Sequence, residues 1–374
     1  MERCTALLLY CRAGFEGECA KEIVAVCAAL DVAGFVRSNG GAGFVEFVPH
    51  DAAGVSRLRG GLRFDDLIFA RQLIFVITWL RELPVGDRVD AVVPTIASIG
   101  SPFSTLWLET ADTNEAKELA AFCRKFRVPL AAVLEKSNLL REKRLELPRL
   151  HLFFSGSTTV CIGLSFPQNS SQWPMGIPRL RLPPRAPSRS TLKLAEALQF
   201  WLTPEDEASL LHEGVAAVDL GAAPGGWTWQ LVRRGVQVTA VDNGPLDPML
   251  LETGMVEHVR DDGFRYRPRW PVGWMVCDIV EQPKRVAELV GVWMASGWCT
   301  HCIFNLKLPM KKRYDEIERC RDLMLARWDA AGIRCGLRFR HLYHDREEIT
   351  GYAFRLGPAR SSGRKKAPRQ RDQV

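Results

Sequence analysis

The spacing of apolar residues divides the chain into an N-terminal and a C-terminal part. Up to residue 166, six apolar runs have the length and boundaries of strands: ALLLYCR, GFVEFV, LIFVITWL, STLWLET, PRLHLFFS and TTVCIGLSF. FEGECAKEIVAVCAAL and DTNEAKELAAFCRKF have helical spacing, and Asp112 with Glu115 three residues later predicts the N-cap of the second helix. This pattern predicts an α+β region and is compatible with two small units in series.

From residue 215 the pattern becomes a regular alternation of strands and helices. Four apolar strands read VAAVDL, VQVTAVD, WMVCDIV and CIFNLKL, and RCGLRFRHLYH and EITGYAFRL follow as two late strands. The helix YDEIERCRDLMLARWDAAG ends at Gly332 and has one apolar face, formed by Ile317, Cys320, Met324, Trp328 and Ala331. This order predicts a doubly wound α/β domain.

A proline-rich segment separates the two parts. Residues 166–190, FPQNSSQWPMGIPRLRLPPRAPSRS, contain six prolines and few helix or strand signals. They predict an interdomain linker, with the boundary between residues 170 and 188.

Composition and charge indicate an ordinary soluble globular protein with a basic C-terminal part. Hydrophobic residues make up 47% and charged residues 25% of 374 residues, so the chain can bury the cores of two or more domains. The net charge of +7 arises in residues 171–374, with 31 Lys and Arg against 24 Asp and Glu, since residues 1–170 hold 19 of each. The basic segments 176–193 and 357–374 are typical either of binding to a polyanion such as RNA or of solubilising extensions.

No membrane or targeting segment is predicted. The longest apolar run, LIFVITWL, is less than half of the ~20 residues that a membrane helix requires, and MERCTALLLYCR lacks a signal-peptide core. Eleven scattered cysteines are typical of reduced structural thiols. The pair Cys299 and Cys302 forms a lone C-x-x-C, for which we expect core packing rather than a metal or redox site. These features predict a cytoplasmic protein without a metal or a membrane partner.

A glycine-rich loop follows the first strand of the α/β part. In DLGAAPGGWTWQL (219–231) the glycines allow a tight turn and close approach of a ligand, and Asp242 ends the next strand, where a carboxylate can bind ribose hydroxyls. Ala223 takes the middle glycine position of the dinucleotide fingerprint, and no Gly-Lys-Ser/Thr follows. The loop therefore predicts an adenosine cofactor other than a nicotinamide dinucleotide or a Walker-type nucleotide.

The segment DLGAAPGGW resembles the cofactor motif of the FtsJ-type RNA ribose methyltransferases, which use S-adenosyl-L-methionine. The resemblance implies cofactor contacts for a set of residues along this edge of the domain: Gly221, Ala223, Pro224, Gly225, Gly226, Asp242 and Asp278. Asp262 in VRDDGF resembles the family residue beside the adenine. Ser190 in SRSTLK resembles a cofactor-contacting serine, although a helix N-cap explains it equally well.

The end of the WMVCDIV strand bears on the methyl acceptor. The segment VCDIVEQP lacks the Asn/Asp-Pro-Pro-aromatic motif of amine methyltransferases, and Cys277 lies within an apolar strand, which disfavours a nucleophilic role in base methylation. Four charged residues instead resemble the K-D-K-E tetrad of ribose 2′-O-methyltransferases: Lys193, Asp278, Lys307 and Glu348.

The chemistry of a ribose hydroxyl accounts for these residue types. The enzyme must mainly remove a proton and align the displacement, so Lys307 is the candidate general base. Burial in CIFNLKL and the nearby Lys193 are expected to lower the pKa of Lys307, while Asp278 orients its amine. Lys193 and Glu348 are expected to complete the network.

Simpler roles remain open for each of the four residues. Lys307 can extend to solvent past the strand end, Lys193 can lie on an exposed helix face, and Asp278 can be an ordinary loop acid. Strand alternation favours Glu348 over the adjacent Glu347. The cations that follow Pro309, namely Lys311, Lys312 and Arg313, are expected at the mouth of the site, facing phosphate.

Stretches over most of the chain, including YCRAGFEGECAKEI, VDNGPL and LYHDREEIT, resemble family members that modify large-subunit ribosomal RNA. This resemblance implies a ferredoxin-like unit over 1–85, a THUMP RNA-binding unit over 86–170 and a Rossmann-like methyltransferase domain over 189–356. A basic Pro-rich linker (171–188) and a disordered basic tail (357–374) complete the predicted organisation.

The same resemblance implies a substrate, the cytidine at position 2498 of 23S rRNA in the peptidyl-transferase loop, methylated before the large subunit is fully assembled. We expect the protein to act as a monomer or weak dimer. The alternatives are a non-catalytic RNA-binding assembly factor and an RNA base methyltransferase.

Overall fold

The computed structural model describes residues 4–357. Its N-terminal part is built around one seven-stranded sheet. Its elements are β1 (Ala6–Tyr10), α1 (Glu16–Ala29), β2 (Gly34–Ser38), β3 (Phe44–Pro49), α2 (Ala52–Gly61), β4 (Gln72–Leu80), α3 (Arg88–Ala97), β5 (Thr105–Thr110), α4 (Lys117–Lys136), β6 (Arg149–Gly156) and β7 (Thr159–Ser165). The strand order is β2-β3-β1-β4-β7-β6-β5. All neighbours are antiparallel except β5 and β6. The strands of both predicted small units therefore share one sheet.

The second predicted helix begins later than expected. The residue at the N-cap of α4 is Ala116, which makes no side-chain capping bond, so the assignment of Asp112 as the cap is wrong. Asp112 instead lies 3.3 Å from the Nη1 atom of Arg71, a side chain that is 4% exposed. A buried guanidinium group requires a carboxylate partner, and this tertiary demand outweighs local capping.

The C-terminal part forms a second seven-stranded sheet. Its elements are α5 (Thr191–Trp201), α6 (Pro204–Leu210), β8 (Ala216–Leu220), α7 (Gly226–Val232), β9 (Gln237–Val241), α8 (Pro248–Leu251), β10 (Val256–Val259), β11 (Val272–Cys277), α9 (Pro283–Ala295), β12 (Cys299–Lys307), α10 (Arg313–Ala330), β13 (Cys335–Arg340) and β14 (Glu348–Arg355). The order is β10-β9-β8-β11-β12-β14-β13, parallel except for β14, which is antiparallel to both of its neighbours. The predicted fold class, an α+β region followed by a Rossmann-like domain, is confirmed.

The apolar face of α10 packs as predicted except at its end. Ile317, Cys320, Met324 and Trp328 are buried, whereas Ala331 is the exposed C-cap residue. Cys299 and Cys302 are buried in β12, where their thiols contact methionine sulfurs. Within residues 4–357 no group of three or more metal-ligating side chains is suitably placed to hold an ion, and no helix is long and apolar enough to cross a membrane.

The proline-rich segment is anchored on the N-terminal sheet. The side chain of Gln72 donates to the Ser171 carbonyl (3.3 Å) and accepts from the Ser171 amide (3.0 Å). The amide group of Asn169 similarly bonds the backbone of Leu62 and Phe64, each at 2.7 Å. This part of the segment therefore holds a defined position against the N-terminal part.

Candidate active site

The candidate catalytic residues meet at the carboxyl ends of the parallel strands β11 and β12 of the second sheet. Asp278 directly follows β11, and Lys307 is the last residue of the adjacent β12. Glu348 begins β14 and lies opposite Lys307 in the antiparallel register. Lys193 comes from the first turn of α5. Four segments far apart in sequence thus bring the four charged side chains together.

Asp278 lies at the centre of this group. Its Oδ1 atom is 2.6 Å from the Nζ atom of Lys307, and its Oδ2 atom is 3.4 Å from the Nζ atom of Lys193. Lys193 is also 2.5 Å from the Oε1 atom of Glu348. Since Asp278 contacts both amines, it can hold one while stabilising a charge on the other.

The two lysines have different surroundings. Burial lowers the pKa of Lys193, but Asp278 and the hydrogen-bonded Glu348 outweigh this effect and raise it above its ordinary value, so Lys193 stays charged. The side chain of Lys307 is 22% exposed because it ends the strand, so the expectation of a fully buried lysine is wrong. This partial exposure leaves room for an acceptor group at the Lys307 amine.

Three residues that the sequence did not indicate form a series of hydrogen bonds behind Asp278. The side-chain amide of Asn305 donates to Asp278 Oδ1 (2.9 Å), and the Thr350 hydroxyl donates to Asn305 Oδ1 (2.8 Å). Thr350 Oγ1 also lies 2.9 Å from a carboxyl oxygen of Asp345. Burial raises the pKa of Asp345 well above its ordinary value, and the charge of Glu348 adds to the shift. Asp345 is thus the buried end of a series of hydrogen-bonded groups that leads from Asp278 through Asn305 and Thr350.

The loop before Glu348 is fixed from two sides. Glu196, one turn after Lys193, accepts from the amides of Tyr343 (2.8 Å) and His344 (2.9 Å). Arg12 of the N-terminal part donates to the carbonyl of Asp345 (2.8 Å). Sequence reasoning missed both residues, because neither belongs to a motif and each bonds mainly to backbone groups.

The cations after Pro309 separate into two groups. Arg313 is not a free phosphate ligand: its Nη2 atom lies 2.6 Å from Glu347, and its guanidinium group stacks on Phe15 at 4.3 Å. The prediction for Arg313 is therefore wrong, because Glu347 of the same domain and Phe15 of the N-terminal part supply its partners. Lys311 and Lys312 are exposed. Glu347 is 65% exposed, whereas Glu348 lies in the tetrad.

The glycine-rich loop follows the carboxyl end of β8, at the same end of the parallel strands as Asp278 and Lys307. Gly221 and Gly225 have positive φ angles of 76° and 113°, which side chains rarely adopt. A Cβ atom on Gly221 would lie 2.6 Å from the Cγ1 atom of Ile279. Asp242 accepts from the amides of Ala223 (3.0 Å) and Gly244 (2.7 Å). The acid at the end of β9 therefore shapes the loop directly.

Ser190 and Asp262 lie on two sides of this loop. Ser190 is at the N-cap position of α5 but makes no side-chain capping bond; its hydroxyl contacts that of Ser188 at 2.6 Å. A Cβ atom on Gly226 would meet both hydroxyls. Asp262 is exposed, and the adjacent Gly263 lies against Leu220 and Gly221.

The chemistry of this edge fits S-adenosyl-L-methionine. The turn of the loop needs backbone without side chains, because Ile279 packs against Gly221 and Leu250 packs against Gly225. The carboxyl groups of Asp242 and Asp262 flank the loop and suit hydroxyl and amino groups. Pro224 follows Ala223 through a cis peptide bond within the loop. The residues present are thus compatible with the cofactor that the motif implies.

Comparison with known proteins defines the class first. An FtsJ-like methyltransferase family model matches residues 186–299, which hold the glycine-rich loop, Lys193 and Asp278. The C-terminal part is therefore an FtsJ-like methyltransferase domain. Two further models match the N-terminal part: an RlmM ferredoxin-like domain over residues 4–74, and the N-terminal region of ribosomal RNA large subunit methyltransferase M over residues 87–166.

Full-length relatives identify the particular family. Ribosomal RNA large subunit methyltransferase M of Methylococcus capsulatus is 55% identical over 93% of this chain and 97% of its own length. The protein of the same name from Aromatoleum aromaticum is 50% identical over 93% and 94%. The chain belongs to the ribosomal RNA large subunit methyltransferase M family. The structure of Aeropyrum pernix fibrillarin with S-adenosyl-L-methionine matches 54% of this chain and 81% of its own length, at 15% identity and a TM-score of 0.32.

Proposed function

We propose that this protein transfers a methyl group from S-adenosyl-L-methionine to the ribose 2′-oxygen of a cytidine in 23S rRNA, at position 2498. The name of the relatives supports ribosomal RNA as the substrate. The observation that carries the 2′-O assignment is the 2.6 Å contact of Lys307 with Asp278 at the partly exposed end of β12.

Lys307 accepts the proton of the ribose hydroxyl in this mechanism. Its amine must be neutral to do so, and Asp278 then stabilises the ammonium group that forms. Lys193, which is held by Asp278 and Glu348, keeps the carboxylate oriented without exchanging protons. S-adenosyl-L-methionine, held by the loop 221–226 with Asp242 and Asp262, supplies a methyl group on a sulfonium that is already a good leaving group.

The N-terminal part supplies RNA recognition in this proposal. We infer from the family resemblance that residues 86–170 form a THUMP unit next to the ferredoxin-like unit, and that the substrate is naked rRNA or an early assembly intermediate. The protein acts in the cytoplasm as a monomer or weak dimer. From residue 358 onward, the proposed basic tail lies outside the residues that the structure describes.

Product analysis tests the reaction. Wild-type protein is incubated with labelled S-adenosyl-L-methionine and 23S rRNA from cells that lack the enzyme, and the RNA is digested to nucleosides. We expect labelled 2′-O-methylcytidine. A labelled base would indicate a base methyltransferase, and cofactor binding without transfer would indicate a non-catalytic assembly factor.

The Lys307→Ala variant tests the base. Loss of a general base is expected to lower the transfer rate about 100-fold or more, while cofactor binding by calorimetry stays within about twofold. Arg334→Ala, which removes an exposed cation next to the end of β13 away from the tetrad, is the control and is expected to retain activity. Full activity of Lys307→Ala would reject Lys307 as the base even if 2′-O-methylcytidine is the product.

A further inference from the structure

The connection between β10 and β11 differs from the other connections between parallel strands of the second sheet. The helices α7 and α8 connect β8, β9 and β10, and α9 connects β11 and β12. Residues 260–271, all of which the structure describes, form turns and irregular backbone without a helix. A crossover between parallel strands usually contains a helix, so this segment, RDDGFRYRPRWP, is an unusual cover for the sheet.

Inner and outer side chains alternate along this segment. Phe264 and Tyr266 are half-buried and pack against the core cluster that contains side chains of α9 and α10. The outer side chains are exposed and form what we call the arginine-tryptophan ridge: Arg265, Arg267, Arg269 and Trp270. Because the two inner rings hold the segment on the sheet, the ridge has a fixed position on the surface.

Trp270 is exposed to an unusual extent. Its exposed fraction is 80%, against 43% for Phe35, another exposed aromatic residue. Tryptophan is mostly buried in folded proteins, because removing its large apolar surface from water is favourable. An exposed indole offers a flat surface on which another planar ring can stack. The exposed ring therefore indicates a partner that covers it.

The positive charge of the ridge is only partly balanced. Arg265 lies 3.7 Å from the carboxylate of Asp262. No ion pair within residues 4–357 includes Arg267 or Arg269. The guanidinium group of Arg267 stacks on Trp298 at 4.9 Å and donates through Nη1 to two carbonyls of its own segment. These contacts orient one cation of the ridge without neutralising it.

The ridge lies on the other face of the sheet from α5, the helix that carries Lys193. The helices α5 and α7 pack on one face, whereas α9, α10 and the ridge segment pack on the other. The segment starts beside the glycine-rich loop, where Gly263 lies against Gly221, and ends at the amino end of β11. Since Asp278 follows the carboxyl end of that strand, the ridge leads away from the tetrad.

RNA matches both kinds of side chain in the ridge. Guanidinium groups bind phosphate through parallel hydrogen bonds, and aromatic side chains stack on unpaired bases of any sequence. Bases and phosphates accompany each other along a single strand, as the indole and the arginines do along the ridge. An acidic protein surface would match the arginines but would not account for the exposed indole.

We propose that the arginine-tryptophan ridge binds a single-stranded stretch of the ribosomal RNA substrate away from the acceptor nucleotide, with Trp270 stacked on a base and Arg267 and Arg269 on phosphates. The proposal rests on the proposed function for ribosomal RNA as the substrate, but not on the atom that receives the methyl group. It assigns these RNA contacts to the methyltransferase domain alone.

Substitutions in the ridge test this proposal through RNA affinity. The Kd for 23S rRNA from cells that lack the enzyme is measured by filter binding at several salt concentrations, for wild type, Trp270→Ala and Arg269→Ala. We expect Trp270→Ala to raise the Kd about 10-fold at every salt concentration, because stacking on a base involves no net charge. Arg269→Ala should raise the Kd about threefold or more and reduce the slope of log binding constant against log salt by about one.

Arg334→Ala is the matched control, because Arg334 is an exposed arginine next to β13, the strand at the opposite edge of the same sheet. This variant should bind RNA as wild type does. Trp270→Phe keeps a ring for stacking and should recover most of the affinity that Trp270→Ala loses. Circular dichroism and thermal unfolding verify that each variant is folded.

A Kd for Trp270→Ala equal to that of Arg334→Ala would overturn the ridge as an RNA site and would favour a protein partner for the exposed indole. The fate of the proposed function is separate. If wild type makes no 2′-O-methyl nucleoside but Trp270→Ala binds RNA more weakly, the reaction is wrong and the ridge stands. If the nucleoside forms and the ridge variants bind RNA as wild type does, the reverse holds.

Discussion

At the scale of single residues, the two oxygens of Asp278 give the two lysines different roles. Oδ1 of Asp278 contacts the amine of Lys307 and the side-chain amide of Asn305. Oδ2 contacts the amine of Lys193, which also contacts Glu348. An ammonium at Lys193 is therefore compensated whether or not Lys307 is protonated. The carboxylate can stabilise a new charge on Lys307 without releasing its other partner, which is what a proton acceptor next to a second cation requires.

A second acid near the loop, Asp219, is buried with one main partner, the Thr228 hydroxyl at 2.6 Å. Burial raises the pKa of Asp219 to about 7. Because this folded-state value lies above the ordinary 3.8, the native state binds the proton more tightly than the unfolded state. The contribution of Asp219 to stability is full below about pH 4 and is lost as the pH rises to about 7.

The Asp219→Asn variant should remove this dependence. We expect the variant and wild type to have similar free energies of unfolding at pH 4, and the variant to be more stable at pH 8.5 by a few kcal/mol at most. Urea unfolding at both pH values, without cofactor, measures the difference. An equal difference at the two pH values would contradict the raised pKa.

At the scale of elements, the contact between α5 and α7 joins Lys193 to the glycine-rich loop. Gly226 begins α7, and the Trp227 indole donates to the carbonyl of Ser190 (3.1 Å) just before α5. A Cβ atom on Gly226 would lie 2.5 Å from the Ser188 hydroxyl and 3.0 Å from the Thr191 amide. The absence of a side chain at Gly226 thus allows α5 to place Lys193 beside Asp278.

Gly226→Ala is expected to push the start of α5 away. We predict a loss of about 1–3 kcal/mol in the free energy of unfolding, together with weaker S-adenosyl-L-methionine binding by calorimetry. Gly17→Ala is the matched control, because Gly17 also lies in the first turn of a helix but has open space around the new methyl group. That control should be neutral or stabilise by up to about 1 kcal/mol. Equal behaviour of the two variants would reject the close-contact argument.

At the scale of the whole molecule, one buried arginine joins the two domains. Arg340, the last residue of β13, is 3% exposed and donates to the carbonyls of Phe64 (3.0 Å) and Leu67 (2.5 Å) in the N-terminal part. It stacks between Phe64 and Phe200 at 4.1 and 4.4 Å. Burial lowers its pKa to about 10, which leaves it charged at neutral pH. Its neighbours in sequence form the loop that leads to Asp345 and Glu348.

Arg340→Ala should make the two domains unfold less cooperatively with each other. The Leu67 carbonyl would lose the Arg340 donor, the Phe64 carbonyl would keep only the Leu67 amide, and a gap would form between the rings of Phe64 and Phe200. We therefore expect a loss of about 3 kcal/mol or more in the free energy of unfolding and a second transition in calorimetric unfolding. Arg338→Ala, two residues earlier on the same strand but exposed, should change stability by less than about 0.5 kcal/mol. A single unchanged transition in Arg340→Ala would show that other contacts suffice to join the domains.

The sequence by itself determined the class of the fold and the chemistry of the motifs. Strand and helix periodicity is a local property, so the alternation from residue 215 predicted the doubly wound domain and the turn at Gly221. Two strands were missed: β2 has few buried residues, and β10 has four residues. Such short or exposed strands carry little periodic signal.

Only the tertiary structure decided which charges meet. Asp112 pairs with Arg71 instead of capping a helix, and Lys307 is partly exposed at a strand end. Arg313 is bound by Glu347 of its own domain and by Phe15 of the N-terminal part. Arg12 reaches the loop before Glu348 across more than 300 residues of sequence. The physical reason is that pairing and burial depend on distances through space, and these follow from how the two sheets pack and not from any local pattern of residues.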